Sequence, residues 1–425
     1  MSETLYTQVL ADIISVANKL KVAPSRLTQD EYFKRGRFKH TALKQLGGLH
    51  KIQADFWRDQ RETDTLAVLR GQQQRKKYIR ELENTVGDRE YFANAIKDEL
   101  RALFAAHPIQ LSRKPKVRVS KSGKLRENVA FISDTHFGLN IDSEEVPSNS
   151  YNWTIAARRM AKYAEQVATY KSEHRKNCPV LRVCLGGDLA QGVIHLSEAG
   201  TQLITHQLYG TQWMLTQMID YWRQFYSKII VECTPDNHLR LTHKGHDRAM
   251  AQKFDSYATL LHLGLQTAFR KATDVSFHIP KTPHTEFDVL GHRIFMTHGD
   301  TVLRSGWVSK NLQIARITND VRALQASHTE KPISAVLLGH VHVPLNTTLD
   351  NGVELIINGT GSGTDPYAQS LGIFNNNPCQ IIFEATEDYV VGDFRKVYLK
   401  DADAVADYEK IITPYTGAFT NPPEL

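Results

Sequence analysis

The sequence has few cysteines and no long apolar run, and these absences exclude several classes of protein. Its cysteines, Cys178, Cys184, Cys233 and Cys379, form no C-x-x-C pair, which argues against a disulfide framework and a thiolate zinc site. No apolar run approaches the roughly 20 residues that span a bilayer. The N-terminal segment also lacks the basic start and the cleavage site of a signal peptide. We therefore expect a cytoplasmic protein with no membrane partner.

Charge is unevenly distributed along the chain. Residues 1–128 contain 26 Lys and Arg against 15 Asp and Glu, a balance of +11, whereas the remainder contains 26 against 31, or −5. A basic front segment on a mildly acidic body predicts a polyanionic partner, and nucleic acid, DNA in particular, is the one we expect. The alternative is a solvated helical surface that happens to be basic.

The front of the chain carries helix start and stop signals. In "LTQDEYFKRGRFKHTALKQLGG" Thr28 is a candidate N-cap before Asp30 and Glu31, and Gly36 would end the helix. Short helices with glycine corners are typical of a helix-turn-helix. The aromatic side chains between the corners are better explained as the core of a small domain than as base-stacking groups. The basic residues there are candidate DNA contacts: Lys34, Arg35, Arg37, Lys39 and Lys44.

These patterns predict four regions. Residues 1–110 form a helical, basic, helix-turn-helix-like DNA-binding region. Its long charged part, 58–106, is either a pairing surface for a homodimer or a solvated helix. Residues 111–128 form a basic linker. Residues 129–400 form an α/β domain, because short apolar runs alternate there with helical patterns near 151–175, 201–226, 247–270 and 306–327. "DNG" at 350–352 predicts a hairpin turn, and 401–425 form a C-terminal tail.

Five apolar runs of the α/β region end in side chains that bind metals. They read "FISDTHFG", "LGGDLAQG", "TPDNHLR", "MTHGD" and "LLGHVHVP". In an extended chain, residues i and i+2 face the same way, so we expect each D-x-H and H-x-H pair to converge on one volume. In open α/β sheets, ligands gather beyond the carboxyl ends of the strands, so we expect the five ends to meet. We expect structural roles for His206 and His292, and His195 stays open.

In this order, the motifs resemble the calcineurin-like metallophosphoesterases over about residues 129–400. "SDTHFG" and "GGDL" are most similar to the SbcD-type DNA-repair nucleases, and "HGD" and "NGTGSG" also resemble phage-encoded metallophosphoesterases. The front segment resembles a DNA-binding repeat of some homing endonucleases. The resemblance implies a two-sheet sandwich flanked by helices, here after a mostly helical N-terminal domain. For a phage protein, the cytoplasm would be that of the host.

The resemblance also implies a site for two divalent cations. The first cation would have these ligands: Asp134, His136 and His342. The second would have these: Asn237, His298 and His340. Asp188 would bridge the two cations and so act in catalysis. His238 resembles the substrate-facing histidine of the family, which stabilises the transferring phosphoryl group or protonates the leaving oxygen. The other interpretation of His238 is a brace for Asn237.

Charge balance makes such a site chemically sensible. Two divalent cations against two aspartates leave two positive charges, which suits one phosphodiester and one hydroxide. Cations roughly 3.5–4 Å apart can clamp the attacking and leaving oxygens of an in-line displacement, and a hydroxide held by metal would attack phosphorus. Carboxylate, amide and imidazole ligands without thiolate suit manganese best, with iron, zinc, cobalt or magnesium as alternatives.

The sequence departs from the family pattern at two places. Asp236 stands where the family has glycine, and Leu239 stands where it has an acid. We expect Asp236 either to hold a left-handed turn or to raise the pKa of His238. Gln191 stands where G-D-x-x-D has its second acid. Three further residues follow ligand motifs and are candidate substrate contacts or supporting residues: His195, Glu198 and Arg240.

The leading functional hypothesis is a dinuclear metal-dependent DNA nuclease whose basic front region grips the substrate. One alternative is a phosphatase or a small-molecule or nucleotide phosphodiesterase, for which the basic region would have no use. Another is a catalytically inactive DNA-binding module. Exonuclease and endonuclease action both stay open, as does a partner ATPase of the kind that repair nucleases use.

Overall fold

The chain divides into two compact units, residues 1–99 and residues 100–425. The structure is a computed structural model, and it describes these ranges: 2–21, 28–37, 49–52, 111–112, 123–173, 177–192, 204–240, 253–300, 310–327, 331–370, 374 and 376–416.

The described part of the first unit contains helices α1 (Ser2–Leu20) and α2 (Gln29–Arg35). The predicted start and end of α2 are confirmed, because Thr28 and Glu31 form a reciprocal capping box and Gly36 is the C-cap residue. Tyr32 belongs to the core, as predicted: it is fully buried and donates a hydrogen bond to Asp12 at 2.8 Å. The other predicted features here, Lys39, Lys44 and the segment 58–106, lie outside the described residues.

The second unit is built on two sheets. The first has the strand order β11-β10-β1-β2-β3-β4. Strands β1 to β4 are mutually parallel, and β10 and β11 are antiparallel additions beside β1. The bounds are β1 (Arg126–Ile132), β2 (Val180–Leu185), β3 (Lys228–Cys233), β4 (Val275–His278), β10 (Cys379–Thr386) and β11 (Asp393–Tyr398).

The second sheet has the order β5-β6-β7-β9-β8. Its bounds are β5 (His284–Val289), β6 (His292–Thr297), β7 (Ile333–Leu338), β8 (Leu345–Thr348) and β9 (Glu354–Ile357). Strands β6, β7 and β9 are parallel, and the two edge strands are antiparallel to their neighbours. The predicted turn at 350–352 is confirmed: it joins β8 to β9, and Gly352 adopts a φ of 79°.

Helices cover both outer faces. The helices of this unit are α3 (Trp153–Glu173), α4 (Ile204–Trp222), α5 (Tyr257–Ala268), α6 (Lys310–Ser327) and the short α7 (Pro366–Ser370), followed by two 3-10 turns, Lys400–Ala404 and Ala406–Lys410. The core on the side of α3, α4 and α5 is separate from the core that includes α6. None of the described helices has the length and apolarity needed to cross a membrane.

Alternation along β1 explains how one strand serves two cores. Val129 and Phe131 face the second sheet, whereas Ala130 and Ile132 face the helices, as a period of two requires. The inter-sheet core also receives Ile294 from β6 and other buried side chains of both sheets. The result is a helix–sheet–sheet–helix arrangement, so the predicted two-sheet sandwich flanked by helices is confirmed.

Candidate metal centre

The candidate ligands lie in turns just beyond the strand ends, and their local geometry differs from the prediction. We expected extended pairs, but Asp134 and His136 have φ values of 52° and 48°, and His340 and His342 have 69° and 61°. Asp188 likewise has a φ of 48°. The extended-pair explanation is therefore wrong. Left-handed backbone costs a non-glycine residue about 1–3 kcal/mol and concentrates at functional sites.

These turns are shaped by hydrogen bonds between loops. The N–H of Asp134 donates to the Gly187 carbonyl, and the N–H of His136 donates to the Asp188 carbonyl, both at 3.0 Å. The N–H of His340 donates to Oδ1 of Asp134 at 2.8 Å. The loops after β1, β2 and β7 thus fix one another where the two sheets meet.

The structure brings carboxylates and imidazoles into three overlapping groups. Within each group, one potential ligand atom per residue lies within 4.8 Å of the others. The groups are Asp134, His136 and His342; His136, Asp188 and His238; and Asp188, His298 and His340. Because His136 and Asp188 each belong to two groups, the three form one continuous cluster, which we call the ligand cluster. It contains the predicted ligands except Asn237, together with His238.

Asn237 is linked to the ligand cluster through its neighbours. The N–H of His238 donates to Oδ1 of Asp188 at 3.2 Å, and Oδ2 of Asp236 accepts the N–H of Asp188 at 2.9 Å. The Oδ1 atom of Asn237 is buried and has no hydrogen-bond partner among the described residues. An unpaired buried amide oxygen is costly, so this atom fits the predicted role of a cation ligand.

The first half of the ligand cluster consists of Asp134, His136 and His342. Nε2 of His136 lies 3.1 Å from Nε2 of His342, which lies 3.4 Å from Oδ1 of Asp134. His136 is buried, whereas the side chain of His342 is 20% exposed. Two imidazole nitrogens at this separation repel each other unless a proton or a cation lies between them.

The second half consists of His298 and His340, with Asp188 between the halves, and Asn237 is the further ligand that the sequence predicts for it. Nε2 of His298 lies 3.0 Å from Oδ2 of Asp188, and the His298 side chain is fully buried. Its Nδ1 pairs with the Gly186 carbonyl at 2.9 Å. Because a carbonyl only accepts, Nδ1 carries a proton there, which directs Nε2 toward the cluster.

Burial and charge act against each other in the ligand cluster. Burial, reinforced by His238 and His342, lowers the pKa of His136 to about 3. Burial also disfavours a charged His298, but the Asp188 carboxylate outweighs it and raises the pKa of His298 to about 10. The pKa of Asp188 lies well below its ordinary value because the surrounding histidines outweigh its burial. A cation between Asp188 and His298 would therefore displace a proton.

Asp236 does not hold the left-handed turn that was the first of its two expected roles. It is not among the residues with positive φ, and its carboxylate accepts main-chain N–H groups of Asp188 and Leu239, the latter at 2.7 Å. Burial and the nearby Asp188 raise its pKa to about 6. Asp236 thus braces two loops, a role that the sequence pattern alone did not indicate.

Glycines allow the close approach of these loops. Gly187 has a φ of 91°, and a Cβ there would lie 2.7 Å from Nδ1 of His298. A Cβ on Gly192 would lie 1.9 Å from the His238 carbonyl. The "GG" before Asp188 was the sequence signal for this crowding, although the sequence did not show which residue would be the neighbour.

The remaining candidates are placed as follows. Arg240 is half-buried just after the Asn237–His238 turn, whereas His195 and Glu198 lie outside the described residues. His206 contacts the hydroxyl of Tyr415, and His292 pairs with a main-chain carbonyl, which are the structural roles we expected for both. In the first unit, the described basic candidates are exposed: Lys34, Arg35 and Arg37.

Comparison with known proteins gives structural likeness only. No protein-family model and no curated protein matches the chain. A predicted phosphoesterase from Streptococcus pneumoniae aligns over 65% of this chain and 99% of its own, with 13% identity and a TM-score of 0.23. Zinc-complexed Vps29 from Entamoeba histolytica aligns over 64% and 99%, with 12% identity and a TM-score of 0.27. A 5'-nucleotidase from Candida albicans aligns over 70% and 57%, with 11% identity and a TM-score of 0.32. Since these likenesses carry no argument about activity, the functional assignment depends on the residues of this chain.

Proposed function

We propose that this chain is a metal-dependent phosphoesterase whose ligand cluster holds two divalent cations. The observation that carries the proposal is the sharing of His136 and Asp188 among three groups of ligand atoms, each within 4.8 Å. Carboxylate, imidazole and amide donors suit manganese, and iron, zinc, cobalt or magnesium also fit such a set. Bound cations would supply Lewis acidity and an activated water.

The chain's own residues have separate tasks in this proposal. Asp188, kept ionised by the surrounding histidines, lies between the two halves. The main-chain N–H of His238 holds one oxygen of Asp188 in place. The His238 side chain is 13% exposed, and its Nε2 lies 3.7 Å from Oδ2 of Asp188. In its imidazolium form, with both ring nitrogens protonated, it can therefore donate a hydrogen bond from Nε2 to a phosphoryl or leaving oxygen at the open side of the cluster.

We further propose that the substrate is nucleic acid, with DNA as the first choice. The balance of +11 over residues 1–128 supports this, because a small phosphate ester needs no such grip. The exposed Lys34, Arg35 and Arg37 belong to the described part of that segment. Phosphate contacts of this kind make binding fall steeply as salt rises.

An activity screen tests both levels of the proposal. Metal-stripped protein receives manganese, iron, zinc, cobalt or magnesium ions in separate reactions, with either end-labelled single- or double-stranded DNA or bis-p-nitrophenyl phosphate as substrate. We expect cleavage of DNA, and a loss of about 10³-fold or more in Asp188→Ala, since removing a group of a catalytic unit has effects of this size. Asp401→Ala is the matched control, because that carboxylate is 73% exposed on a 3-10 turn.

The outcomes separate the hypotheses. Equal cleavage by the wild type and Asp188→Ala would contradict the phosphoesterase assignment. Turnover of the small ester, with DNA left intact and unbound at low salt, would contradict the nuclease and favour a small-molecule phosphodiesterase. DNA binding without hydrolysis of either substrate, under any of the five metals, would identify an inactive binding module.

A further inference from the structure

Gln191 contacts two imidazoles of the ligand cluster through two different groups. Its side-chain Oε1 lies 2.8 Å from Nδ1 of His136, and its main-chain oxygen lies 2.7 Å from Nδ1 of His238. Both acceptors are carbonyl oxygens, which cannot donate, so each Nδ1 carries the proton. In the neutral imidazole, the lone pair is then on Nε2, the atom that faces the cluster in both rings.

The position of Gln191 is itself fixed by packing. Gln191 is 5% exposed, and its N–H donates to the Phe137 carbonyl at 3.0 Å. The next residue, Gly192, donates its N–H to Oε1 of the buried Gln207 at 2.6 Å. Because Gly192 touches the main chain of His238, the segment has little freedom to move away from either ring.

We propose that Gln191 is a positioning residue that sets the tautomer and the orientation of His136 through its side chain, and those of His238 through its main chain. The inference rests on the proposed function, in which His136 binds a cation and His238 faces the substrate. The inference also explains why an amide can stand at Gln191, where the G-D-x-x-D motif has its second acid. A neutral amide at this position supports a ligand of the first half without adding a charge to the cluster.

The two contacts predict a divided response to substitution. A change of the side chain removes the acceptor of His136 but leaves the main-chain acceptor of His238 in place. Removing the outer partner of a ligating histidine typically weakens metal binding about 10–100-fold. Gln191→Leu should therefore weaken the binding of one of the two cations by that factor. Gln191→Glu should restore that binding, because a carboxylate is also an acceptor.

The experiment is calorimetric titration of the metal-stripped full chain with Mn²⁺. We compare the wild type, Gln191→Leu, Gln191→Glu and a control, Gln217→Leu, whose amide contacts the main chain near Thr413. ¹⁵N spectra of histidine-labelled protein report the tautomer directly. We expect His136 to be protonated on Nδ1 in the wild type and Gln191→Glu, and to lose that preference in Gln191→Leu.

Each result supports or overturns the inference. Selective weakening of one cation in Gln191→Leu, with recovery in Gln191→Glu and no change in the control, supports it. Wild-type binding by Gln191→Leu overturns it, and so does equal damage in Gln191→Leu and Gln191→Glu, which is the result of a purely structural role. If the wild type binds no Mn²⁺ but shows the expected tautomers, the proposed function fails while the positioning role stands.

Discussion

The two halves of the ligand cluster orient their histidines in different ways. In the first half, Nδ1 of His136 pairs with the side chain of Gln191. In the second, Nδ1 of His298 pairs with the main-chain carbonyl of Gly186. A single substitution can remove the first partner, but the second can be changed only by moving the backbone. Equivalent histidines of one cluster can therefore differ greatly in their sensitivity to mutation.

Exposure is similar in the two halves. His136 and His298 are buried, whereas His342 and His340 are partly exposed. The halves therefore differ mainly in how Nδ1 of the buried histidine is held. Three changes test this contrast, and they are taken in order of decreasing expected effect.

The largest effect should come from a change of Arg159, which is connected to the first half through the main chain of Gly361. This fully buried guanidinium pairs with Asp403 and donates to the carbonyls of Gly361 and Ser362. The N–H of Gly361 in turn donates to the Asp134 carbonyl at 2.8 Å. Arg159→Met removes one partner from each of these groups, of which Asp403 keeps Lys400 and the Ser362 carbonyl keeps Asn149. It should lower the free energy of unfolding by about 3 kcal/mol, as measured by urea denaturation.

Arg322→Met is the matched control for this change. Arg322 pairs with Asp350 at the surface, where the two side chains are 52% and 63% exposed. An exposed pair contributes about 0–1 kcal/mol. If the two variants lost similar stability, Arg159 would not be the support that we describe.

A pair of glycine substitutions should separate the halves. A Cβ on Gly187 would lie 2.7 Å from Nδ1 of His298 and 2.8 Å from the Asp236 Cβ, and the φ of 91° adds strain. A Cβ on Gly361 would approach Thr135 only to 3.1 Å. Gly187→Ala should therefore displace His298 and weaken binding of the second proposed cation about 10–100-fold, which is the usual cost of disturbing the support of a ligand. Gly361→Ala should have a much smaller effect on binding of the first cation.

Mn²⁺ titration of both variants measures this difference. If the Gly187→Ala protein bound both cations with wild-type affinity, this result would contradict the close contact that the structure places at His298. A larger loss in Gly361→Ala than in Gly187→Ala would reverse the comparison.

The smallest effect is a pH dependence, which we follow at His298 in the second half; Asp134 also raises the pKa of His342 in the first half against the effect of burial. Asp188 raises the pKa of His298 to about 10 against the effect of burial. In the metal-free protein, the stability contributed by this protonated pair is therefore fully present below the unfolded pKa of about 6.5 and is lost as pH rises through about 10. A cation must displace the proton, so its affinity should rise with pH, by up to about tenfold per unit.

His136 provides the contrast within the same experiment. Burial lowers its pKa to about 3, so His136 has no proton to release near neutrality. Titrations at pH 6.5, 7.25 and 8, in two buffers of different ionisation enthalpy, count the protons released with each cation. Equal affinity of the second cation across this range would contradict the predicted displacement.

The sequence was sufficient to predict which segments meet, but not how the backbone turns there. The strand ends carrying Asp134 and Asp188 could be placed together, because parallel strands of one sheet end at a common edge, whereas His340 follows a strand of the second sheet. The left-handed turns could not be predicted from these patterns, since they depend on hydrogen bonds such as that from Asp134 to the Gly187 carbonyl. Such partners are remote in sequence and leave no local signal.

Two charged residues show the same limit. Arg159 lies in the helical pattern "AARRMAKY", which is equally compatible with a solvated face, and it is buried because Asp403 reaches it from 244 positions away. Asp236 was interpreted from its neighbour His238, whereas its carboxylate serves the main chain of another loop. Burial of a charge depends on the partner that folding delivers, and periodicity does not report that partner.

The main-chain hydrogen bonds from His340 to Asp134 and from His238 to Asp188 bear on the order of folding and metal binding. Each carboxylate is already immobilised by the peptide group of a residue from another loop, so little rearrangement is left for an arriving ion to drive. Loading can then follow folding. We therefore expect a chain made without metal to fold with these loops in place and to bind the proposed cations afterwards.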